Sequence, residues 1–353
     1  MLRPRDLGFR QPAEWCRHRA VWLAWPSHAE LWGESLADAQ REMTGLCAAI
    51  ADVGPDSLPR GEALEVMVRN EADAEAATRA LAGLGARLHT ALYGDIWLRD
   101  TAPIFLTDSA GRLAPTCFRF NGWGGKYELP GDAQLAGVIA GIALEGRAGK
   151  RFDMPFVLEG GAVDVDGEGT LLTTRQCLLN PNRNPRMSEA EIERALCDSL
   201  GVTHVLWLED GLLHDHTDGH VDTLARFVAP GVVVCMAPSG DDDPNRQVLE
   251  RIAKDLARMR DAHGRALEVV RIPSPGRVLD EEGEIMPASH ANFYVGNTTV
   301  VVPTYGTAWD DAVIDALAPI FPSHRVVGAS ARVILEGGGA FHCVTQQEPE
   351  SSR

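Results

Sequence analysis

No stretch of this sequence is apolar for long enough to cross a bilayer, although 45% of its 353 residues are hydrophobic. Runs such as residues 231–238 and 298–303 are far shorter than the ~20 residues that a transmembrane helix needs. The first 25 residues contain five arginines and lack the apolar centre of a secretory signal. These absences exclude a membrane-embedded protein and predict a cytoplasmic one.

Closely spaced cysteines are also missing. The seven cysteines are scattered, odd in number, and never form a C-x-x-C pair. This distribution excludes a disulfide framework and a structural zinc site of the usual spacing. Six of the seven are expected to fill core space as small hydrophobic residues. Only Cys343 stands in a context that suggests a reactive thiol.

Basic residues are in the minority, with 33 lysines and arginines against 50 acidic residues and a formal charge of −17. Proteins that bind nucleic acid generally present basic faces, so no nucleic-acid partner is expected. The acidic balance is compatible with a small cationic substrate. No low-complexity stretch or linker divides the chain. We therefore predict one domain over residues 1–353, with residues 348–353 as a frayed tail.

Helical and strand patterns alternate along the chain, which predicts an α/β fold. Helices are predicted at residues 35–52, 72–84, 132–144, 188–200, 245–263 and 309–320. Strands are predicted at residues 64–69, 87–93, 116–120, 169–174, 203–208, 231–236, 266–272 and 298–302. Leu158-Glu159-Gly160-Gly161 recurs at residues 335–338, and more loosely at 208–211, as a repeated strand–turn unit would. Chance recurrence among 35 glycines explains this echo equally well.

Two polar clusters follow predicted strands in the first half of the chain. Residues 95–103 contain Trp97, Arg99 and Asp100 and end at Pro103, so they form a loop of the kind that carries functional residues. A buried Trp97 and an Arg99–Asp100 ion pair are the simpler interpretation. Glu159 precedes two glycines, where a backbone can turn tightly and approach a ligand, or can simply form a bulge.

Residues 214–222 contain three histidines and three acids. One interpretation is a zinc hydrolase site built on His214, His216 and His220, because catalytic zinc takes three protein ligands. A second uses only His220 and Asp222. On a strand running to Phe227 these two would point to the same face and enter one pocket. A solvated polar loop is the third possibility.

Three glycines at residues 337–339 lead to His342 and Cys343, which we expect on a short strand near the C-terminus. A lone cysteine is more often inert than reactive. Three features make Cys343 a candidate nucleophile: the flexible glycine segment before it, the neighbouring histidine and the polar residues that follow.

In their order along the chain, these clusters resemble the agmatine deiminase family, relatives of bacterial peptidyl-arginine deiminase. The matching segments are Trp97-Leu98-Arg99-Asp100, residues 120–127, Leu158-Glu159-Gly160-Gly161, residues 177–185, Asp218-Gly219-His220-Val221-Asp222, Asn292-Phe293-Tyr294 and residues 337–343. They extend from about residue 20 nearly to the end of the chain. The resemblance implies a pentein-type fold, a five-bladed α/β propeller with pseudo-fivefold repeats. It also implies an enzyme that uses no metal or other cofactor.

The resemblance further implies a role for each of six residues. Cys343 is the nucleophile, His220 the general acid and base, Asp100 and Asp222 hold the guanidinium, Glu159 helps to orient it, and Trp97 lines the pocket. The implied reaction converts agmatine to N-carbamoylputrescine and ammonia through a covalent amidino-cysteine intermediate. This choice of groups suits the chemistry. A guanidinium offers its N–H donors in a fixed fork that carboxylates can bind in pairs, and a thiolate is the most available nucleophile near neutral pH.

Other functions stay open at this point. Arginine or peptidyl-arginine could be the substrate, although the missing export signal favours a free small molecule. The zinc hydrolase and a non-enzymatic polyamine binder on the same fold are further alternatives. Ala340 and His290 depart from the family's pattern and could shape the pocket beyond the guanidinium. Dimers are common in the family, so a homodimer is expected.

Overall fold

The computed structural model describes residues 3–351 of the chain. Within them, the sixteen strands are β1 His18–Ala24, β2 Ala63–Val68, β3 Arg87–Thr90, β4 Ile104–Thr107, β5 Leu113–Arg119, β6 Phe152–Val157, β7 Asp164–Val165, β8 Thr170–Thr174, β9 His204–Leu208, β10 Ala225–Ala229, β11 Val232–Ala237, β12 Glu268–Pro273, β13 Tyr294–Val295, β14 Thr299–Thr304, β15 Arg325–Ser330 and β16 Gln346–Pro349. The helices of the same range are α1 Ala29–Trp32, α2 Leu36–Ala51, α3 Glu71–Ala80, α4 Leu98–Thr101, α5 Gly122–Gly125, α6 Asp132–Leu144, α7 Arg175–Leu178, α8 Glu189–Leu200, α9 Arg246–Leu256 and α10 Asp310–Leu317. Short 3₁₀ turns occur at Arg5–Leu7, Gly33–Ser35, Gly160–Ala162, Val221–Thr223 and Ile334–Gly337.

The strands form five sheets that share one pattern. In four of them an antiparallel edge strand pairs with a central strand, and a third strand lies parallel to the central one; these sheets are β4-β5-β6, β7-β8-β9, β10-β11-β12 and β13-β14-β15. A helix connects the two parallel strands of each, as a parallel connection requires. The first sheet repeats the pattern as β16-β1-β2 and adds β3. The predicted α/β class and its fivefold repeat are confirmed.

The first sheet takes its antiparallel strand from the opposite end of the chain, where β16 pairs with β1. Glu348 on β16 is fully buried. It accepts hydrogen bonds from Trp22 Nε1 (2.9 Å) and Arg19 Nη2 (2.6 Å), and it pairs with Arg147. These partners satisfy a buried carboxylate that would otherwise be costly.

The prediction of a frayed tail from residue 348 onward is therefore wrong for Glu348 and Pro349. Strand pairing and buried ion pairs hold them in place, and a polar composition alone does not reveal such partners. Residues 352–353, which the prediction also covered, lie outside the described residues.

Replacing Glu348 with Ala should lower the free energy of unfolding by about 3 kcal/mol, because Arg19, Arg147 and Trp22 would lose a buried partner. The matched control is Glu350→Ala. Glu350 lies two residues away with 61% of its side chain exposed and pairs with the exposed Arg17. Surface pairs of this kind contribute about 1 kcal/mol or less. Urea unfolding of both variants measures the difference, and equal losses would contradict buried anchoring of β16.

The six predicted helices are all present, with differences at their ends. Helix α8 begins with a capping box, in which the backbone N–H of Ser188 donates to Glu191 Oε2 (2.8 Å). Helix α9 ends at Leu256 and not at residue 263. Asp261 accepts the backbone N–H groups of His263 and Arg265 (both 2.9 Å), and this local turn competes with the helix.

The cysteines expected in the core divide into two groups. Cys47, Cys117, Cys177 and Cys235 are buried, whereas Cys16 is exposed and Cys197 is partly exposed, so the expectation is wrong for these two. Within residues 3–351, no helix combines the length and hydropathy needed to span a membrane.

Candidate active site

Side chains from all five repeated units meet at one place, because each comes from the segment that follows the last strand of its unit. In chain order these segments carry Asp100 on α4, Glu159 after β6, His220 and Asp222 after β9, Asn292 after β12, and Cys343 after β15. The fold therefore unites residues that are up to 243 positions apart, as in the hydrogen bond between Arg99 and the His342 carbonyl.

Two local predictions about these segments are wrong. Asp222 lies in a 3₁₀ turn, and β10 begins only at Ala225, so the alternation of a strand does not orient His220 and Asp222. The Thr223 hydroxyl closes this turn by donating to the His220 carbonyl (2.9 Å). Cys343 lies in the turn of residues 341–344, before β16. In these turns the backbone leaves the regular strands and enters the space between the sheets. The turns, and not the strands, therefore carry these groups.

Gly161 marks the point where the groups converge. A Cβ atom added to it would lie 2.6 Å from His220 Nδ1, 3.0 Å from Asp222 Oδ2 and 3.1 Å from Asp100 Oδ1. One methyl-sized volume thus touches all three polar groups. Glycine is required here because any side chain would collide with them.

Asp100 is fixed by donors on both oxygens. Gly161 N donates to Oδ1 (2.9 Å) and Trp123 Nε1 donates to Oδ2 (2.8 Å). The backbone of Trp123 is left-handed, with φ of 53°, which is uncommon for a bulky residue and marks a constrained position. Burial and the nearby Asp222 charge raise the pKa of Asp100, although His220 opposes them. A bound cation would stabilise the ionised form of Asp100 and so lower its pKa.

Asp222 is fully buried and differs from Asp100 in its partners. His342 Nδ1 lies 2.7 Å from Oδ2, whereas Oδ1 has no hydrogen-bond partner among the described residues. Burial alone would raise the pKa of Asp222, but the contact with His342 outweighs it and the pKa is lowered. Asp222 is therefore an ionised carboxylate with one oxygen free for a ligand.

His220 is also fully buried, and neither ring nitrogen has a hydrogen-bond partner among the described residues. Its Nδ1 lies 3.8 Å from Asp100 Oδ2. Burial would lower the pKa of His220, but the Asp100 carboxylate and the neighbouring Cys177 outweigh it, so the pKa is raised well above its usual value. This shift favours the imidazolium form of His220, which can donate a proton.

Cys343 faces both a carboxylate and an amide. Its Sγ lies 3.6 Å from Asp222 Oδ2, and Asn292 Nδ2 donates to Sγ (3.2 Å). Asn292 also accepts the backbone N–H groups of His342 (3.1 Å) and Cys343 (3.3 Å). Burial, then Asp222 and Asp100, raise the pKa of the thiol well above its usual value. Asn292 was visible in the sequence only as part of a motif, without a role.

Glu159 is buried against Arg183, whose Nε donates to Glu159 Oε1 (3.0 Å). Arg183 also pairs with Asp218 and donates to the Thr217 carbonyl (2.7 Å). It therefore ties the Glu159 turn to the loop that carries His220. Glu159 Oε2 has no hydrogen-bond partner among the described residues.

The three histidines of the zinc alternative have different surroundings. His214 and His216 are exposed, and His220 is buried. Among residues 3–351, one group of three potential ligands lies close enough to share a metal ion, with ligand atoms within 4.8 Å of one another. It consists of Glu159, Cys177 and His220, so a zinc site on the three histidines is contradicted.

A cavity of about 280 Å³ opens above Asp100 and Cys343. Its apolar walls are Leu31, Trp32, Trp97, Trp123, Tyr127 and Leu129. Asp95 accepts the indole N–H groups of Trp32 (3.0 Å) and Trp97 (2.9 Å) and so fixes two of these walls. Glu336 and His216 also line the cavity and are exposed, and no Arg or Lys among the described residues lines it.

The two positions that depart from the expected pattern do not line this cavity. Ala340 is buried among core residues. His290 is buried between Pro273, whose carbonyl lies 2.9 Å from Nδ1, and Asp310, whose carboxylate lies 3.1 Å from Nε2. Any influence of these residues on the cavity must pass through their neighbours.

Comparison with known proteins agrees with this geometry. The sequence model of the Porphyromonas-type peptidyl-arginine deiminase family matches residues 10–349. An agmatine deiminase of Stutzerimonas stutzeri is 38% identical, covering 98% of this chain and 97% of the relative. The structure of agmatine deiminase of Enterococcus faecalis is 33% identical with a TM-score of 0.90, covering 99% of this chain and 98% of that one. The structure of a C. jejuni agmatine deiminase with substrate bound is 26% identical with a TM-score of 0.86, covering 98% and 97%.

The five sheets and the strand pattern that they share define the class of the molecule. It is a five-bladed α/β propeller of the pentein type. More specifically, the chain belongs to the Porphyromonas-type peptidyl-arginine deiminase family.

Proposed function

We propose that this protein hydrolyses a small guanidino compound, with agmatine as the substrate, to N-carbamoylputrescine and ammonia. The single observation that carries the proposal is the position of Cys343. Its sulfur lies beside the buried Asp222 and on the same cavity as Asp100. The names of the relatives support the same activity.

The carboxylates of Asp100 and Asp222 form a binding site for a guanidinium. Asp222 Oδ1 is buried without a partner, and each Asp100 oxygen accepts only one hydrogen bond. A carboxylate oxygen can accept two, so the pair can bind N–H donors on two sides of a planar cation. The central carbon would then lie over the Cys343 sulfur, which is the orientation that attack requires.

The same cation activates the nucleophile. With the site empty, burial and two carboxylates keep Cys343 in its thiol form, because they raise its pKa. A guanidinium seated between Asp100 and Asp222 cancels their charges and so lowers the pKa of the thiol. The thiolate therefore forms mainly when substrate is present.

The covalent steps follow from these positions. When the cation binds, the Cys343 thiol loses its proton to solvent, and the thiolate sulfur attacks the guanidinium carbon to form a tetrahedral adduct. His220 then gives its proton to the departing nitrogen, the C–N bond breaks and ammonia leaves. Water, deprotonated by the now neutral His220, attacks the amidino-thioether and releases the ureido product and the thiol. Proton transfer by a positioned histidine accelerates such steps by about 100- to 10,000-fold.

The cavity walls support agmatine over arginine and peptidyl-arginine. Trp32, Trp97 and Trp123 can pack along an aliphatic chain, and Asp95 and Glu336 are the charged groups beyond Asp100. The primary ammonium of agmatine carries the charge opposite to these two acidic side chains. The α-carboxylate of arginine would meet like charge and no basic side chain from the cavity lining.

Agmatine and arginine differ only by that α-carboxylate and are therefore a matched pair of substrates. We expect kcat/KM for agmatine to exceed that for arginine by about 100-fold or more, because like charges in a partly buried site cost several kcal/mol. The measurement is ammonia and ureido product from both, with arginine methyl ester as the control that removes the carboxylate charge. Equal turnover of agmatine and arginine would contradict the assignment of the substrate tail.

The same assay separates the non-enzymatic alternative, because tight agmatine binding without ammonia release would identify a polyamine binder. The remaining features of the proposal are one deiminase domain over residues 1–353, no cofactor, a homodimer and a cytoplasmic location. The match of the family over residues 10–349 supports the single domain. Light scattering on the purified protein measures the oligomeric state directly.

A further inference from the structure

His342, the residue before Cys343, is held between two carboxylates. Its Nδ1 lies 2.7 Å from Asp222 Oδ2 and its Nε2 lies 2.8 Å from Glu14 Oε2. All three side chains are buried. A neutral imidazole carries one N–H and can donate to only one of these carboxylates, whereas an imidazolium donates to both. The geometry therefore fits a protonated His342.

Glu14 is itself firmly anchored on the side away from the cavity. Val295 N donates to Glu14 Oε1 (2.8 Å), Arg226 donates to Oε2, and Arg99 lies 4.0 Å from the same oxygen. Burial would raise the pKa of Glu14, but Arg226, His342 and Arg99 outweigh it and the pKa is lowered. Tyr294 also faces this group. Glu14 therefore remains an anion that can retain the His342 proton.

Asp222 is the second carboxylate in contact with His342, on the ring nitrogen opposite to Glu14. Its Oδ2 is taken up by His342, and its Oδ1 is left without a partner. The remaining charged or titratable groups that face Asp222 are His220, Arg99, Arg226, Asp100 and Cys343. His342 thus makes the largest favourable contribution to the ionised state of Asp222 and determines which of its oxygens is available.

We propose that His342 is a positioning residue: it stays protonated between Glu14 and Asp222, keeps Asp222 ionised, and leaves the free oxygen of Asp222 for the substrate guanidinium. His342 does not line the cavity and acts only through Asp222. The inference rests on the deimination proposed above. Nothing in the sequence beyond adjacency to Cys343 indicated this role.

The protonation state can be tested without any turnover. Nuclear magnetic resonance of the full-length protein with ¹⁵N-labelled histidine, at mildly alkaline pH, should show two buried histidines with both ring nitrogens protonated, and one of the two should disappear in His342→Asn. His220, the other buried imidazolium, is distinguished by the His220→Gln variant. A neutral tautomer for His342 would overturn the proposal, whatever the enzyme's substrate.

The kinetic test compares three variants. His342→Asn keeps an N–H donor near Asp222 without the charge, His342→Ala removes both, and Glu14→Gln removes the anion that retains the proton. Without the imidazolium the pKa of Asp222 rises, so Asp222 is protonated at higher pH. The acid limb of the kcat/KM profile should therefore move up by about one pH unit or more, since an opposite charge at this distance shifts a pKa by that amount. KM should rise about tenfold in His342→Ala and less in His342→Asn.

Asp164→Asn is the matched control for a merely structural role. Asp164 accepts a hydrogen bond from Arg226 Nε (2.5 Å) in the same buried network but does not contact His342 or Asp222. This variant should lower stability and leave the acid limb in place. An equal shift in Asp164→Asn, or no shift in His342→Ala, would overturn the positioning role. Failure of the wild-type protein to turn over agmatine would instead contradict the proposed function, and the resonance experiment would still decide the state of His342.

Discussion

Cys343→Ser is expected to lower turnover of agmatine by about 10,000-fold or more, the size of loss seen when a covalent nucleophile is removed. A serine hydroxyl stays protonated near neutral pH. Asp100 and Asp222 would also oppose its ionisation, because both surround residue 343 with negative charge. Ammonia release under saturating substrate measures the loss. Mass spectrometry of acid-quenched wild-type enzyme should detect the amidino adduct, and the variant should lack it.

Cys16→Ser is the matched control for the cysteine substitution, because Cys16 is exposed and does not line the cavity. It should retain wild-type turnover and the adduct. Asp100 and Asp222, the proposed guanidinium ligands, are unchanged in Cys343→Ser, so this variant should still bind agmatine. A Cys343→Ser protein with more than a tenth of wild-type activity would remove the covalent mechanism.

His220→Gln is expected to reduce kcat by about 100- to 10,000-fold, the usual contribution of a general acid or base. The raised pKa of His220 means that the imidazolium persists across neutral pH and is lost only as the pH rises through that raised value. Wild-type activity should therefore decline on the basic side. The residual activity of His220→Gln should not show this decline. The measurement is a pH profile of kcat for both proteins.

The chain provides a matched control in His214→Gln. His214 is exposed, its Nδ1 lies 3.0 Å from the Ile285 carbonyl, and it belongs to the same histidine-rich segment. It should retain kcat within about twofold, as surface substitutions away from a site generally do. Comparable losses in both histidine variants, together with stoichiometric zinc, would reopen the metal mechanism.

The regular elements were predictable where the chain carries a strong local signal. Central strands such as β11 and β14 are buried on both faces and appear as continuous apolar runs, which marked them in the sequence. Helices α2, α6 and α8 showed apolar residues at helical spacing and agree with their predicted bounds within one residue. The longer strands β1, β6 and β15 were missed, and so were the antiparallel edge strands β4, β7 and β13, of two to four residues. Strands of two to four residues show no periodic sequence pattern. They can be recognised only from their pairing with a neighbouring strand.

The residues of the proposed site could be named from the sequence alone, because the resemblance implied roles for Cys343, His220, Asp100, Asp222, Glu159 and Trp97 before any geometry was known. Residue types and their order are properties of the chain, and so is the chemistry that a thiol, an imidazole and carboxylates can perform.

What surrounds those residues was decided only by the tertiary structure. Glu14 lies 328 positions from His342 and Asn292 lies 51 from Cys343, yet both contact the segment that carries Cys343. The closure of the first sheet by β16 likewise joins the two ends of the chain. Burial and charge pairing at such separations set which groups are ionised and which oxygens are free. Local sequence carries no record of these contacts, because the repeated units create them only when they pack together.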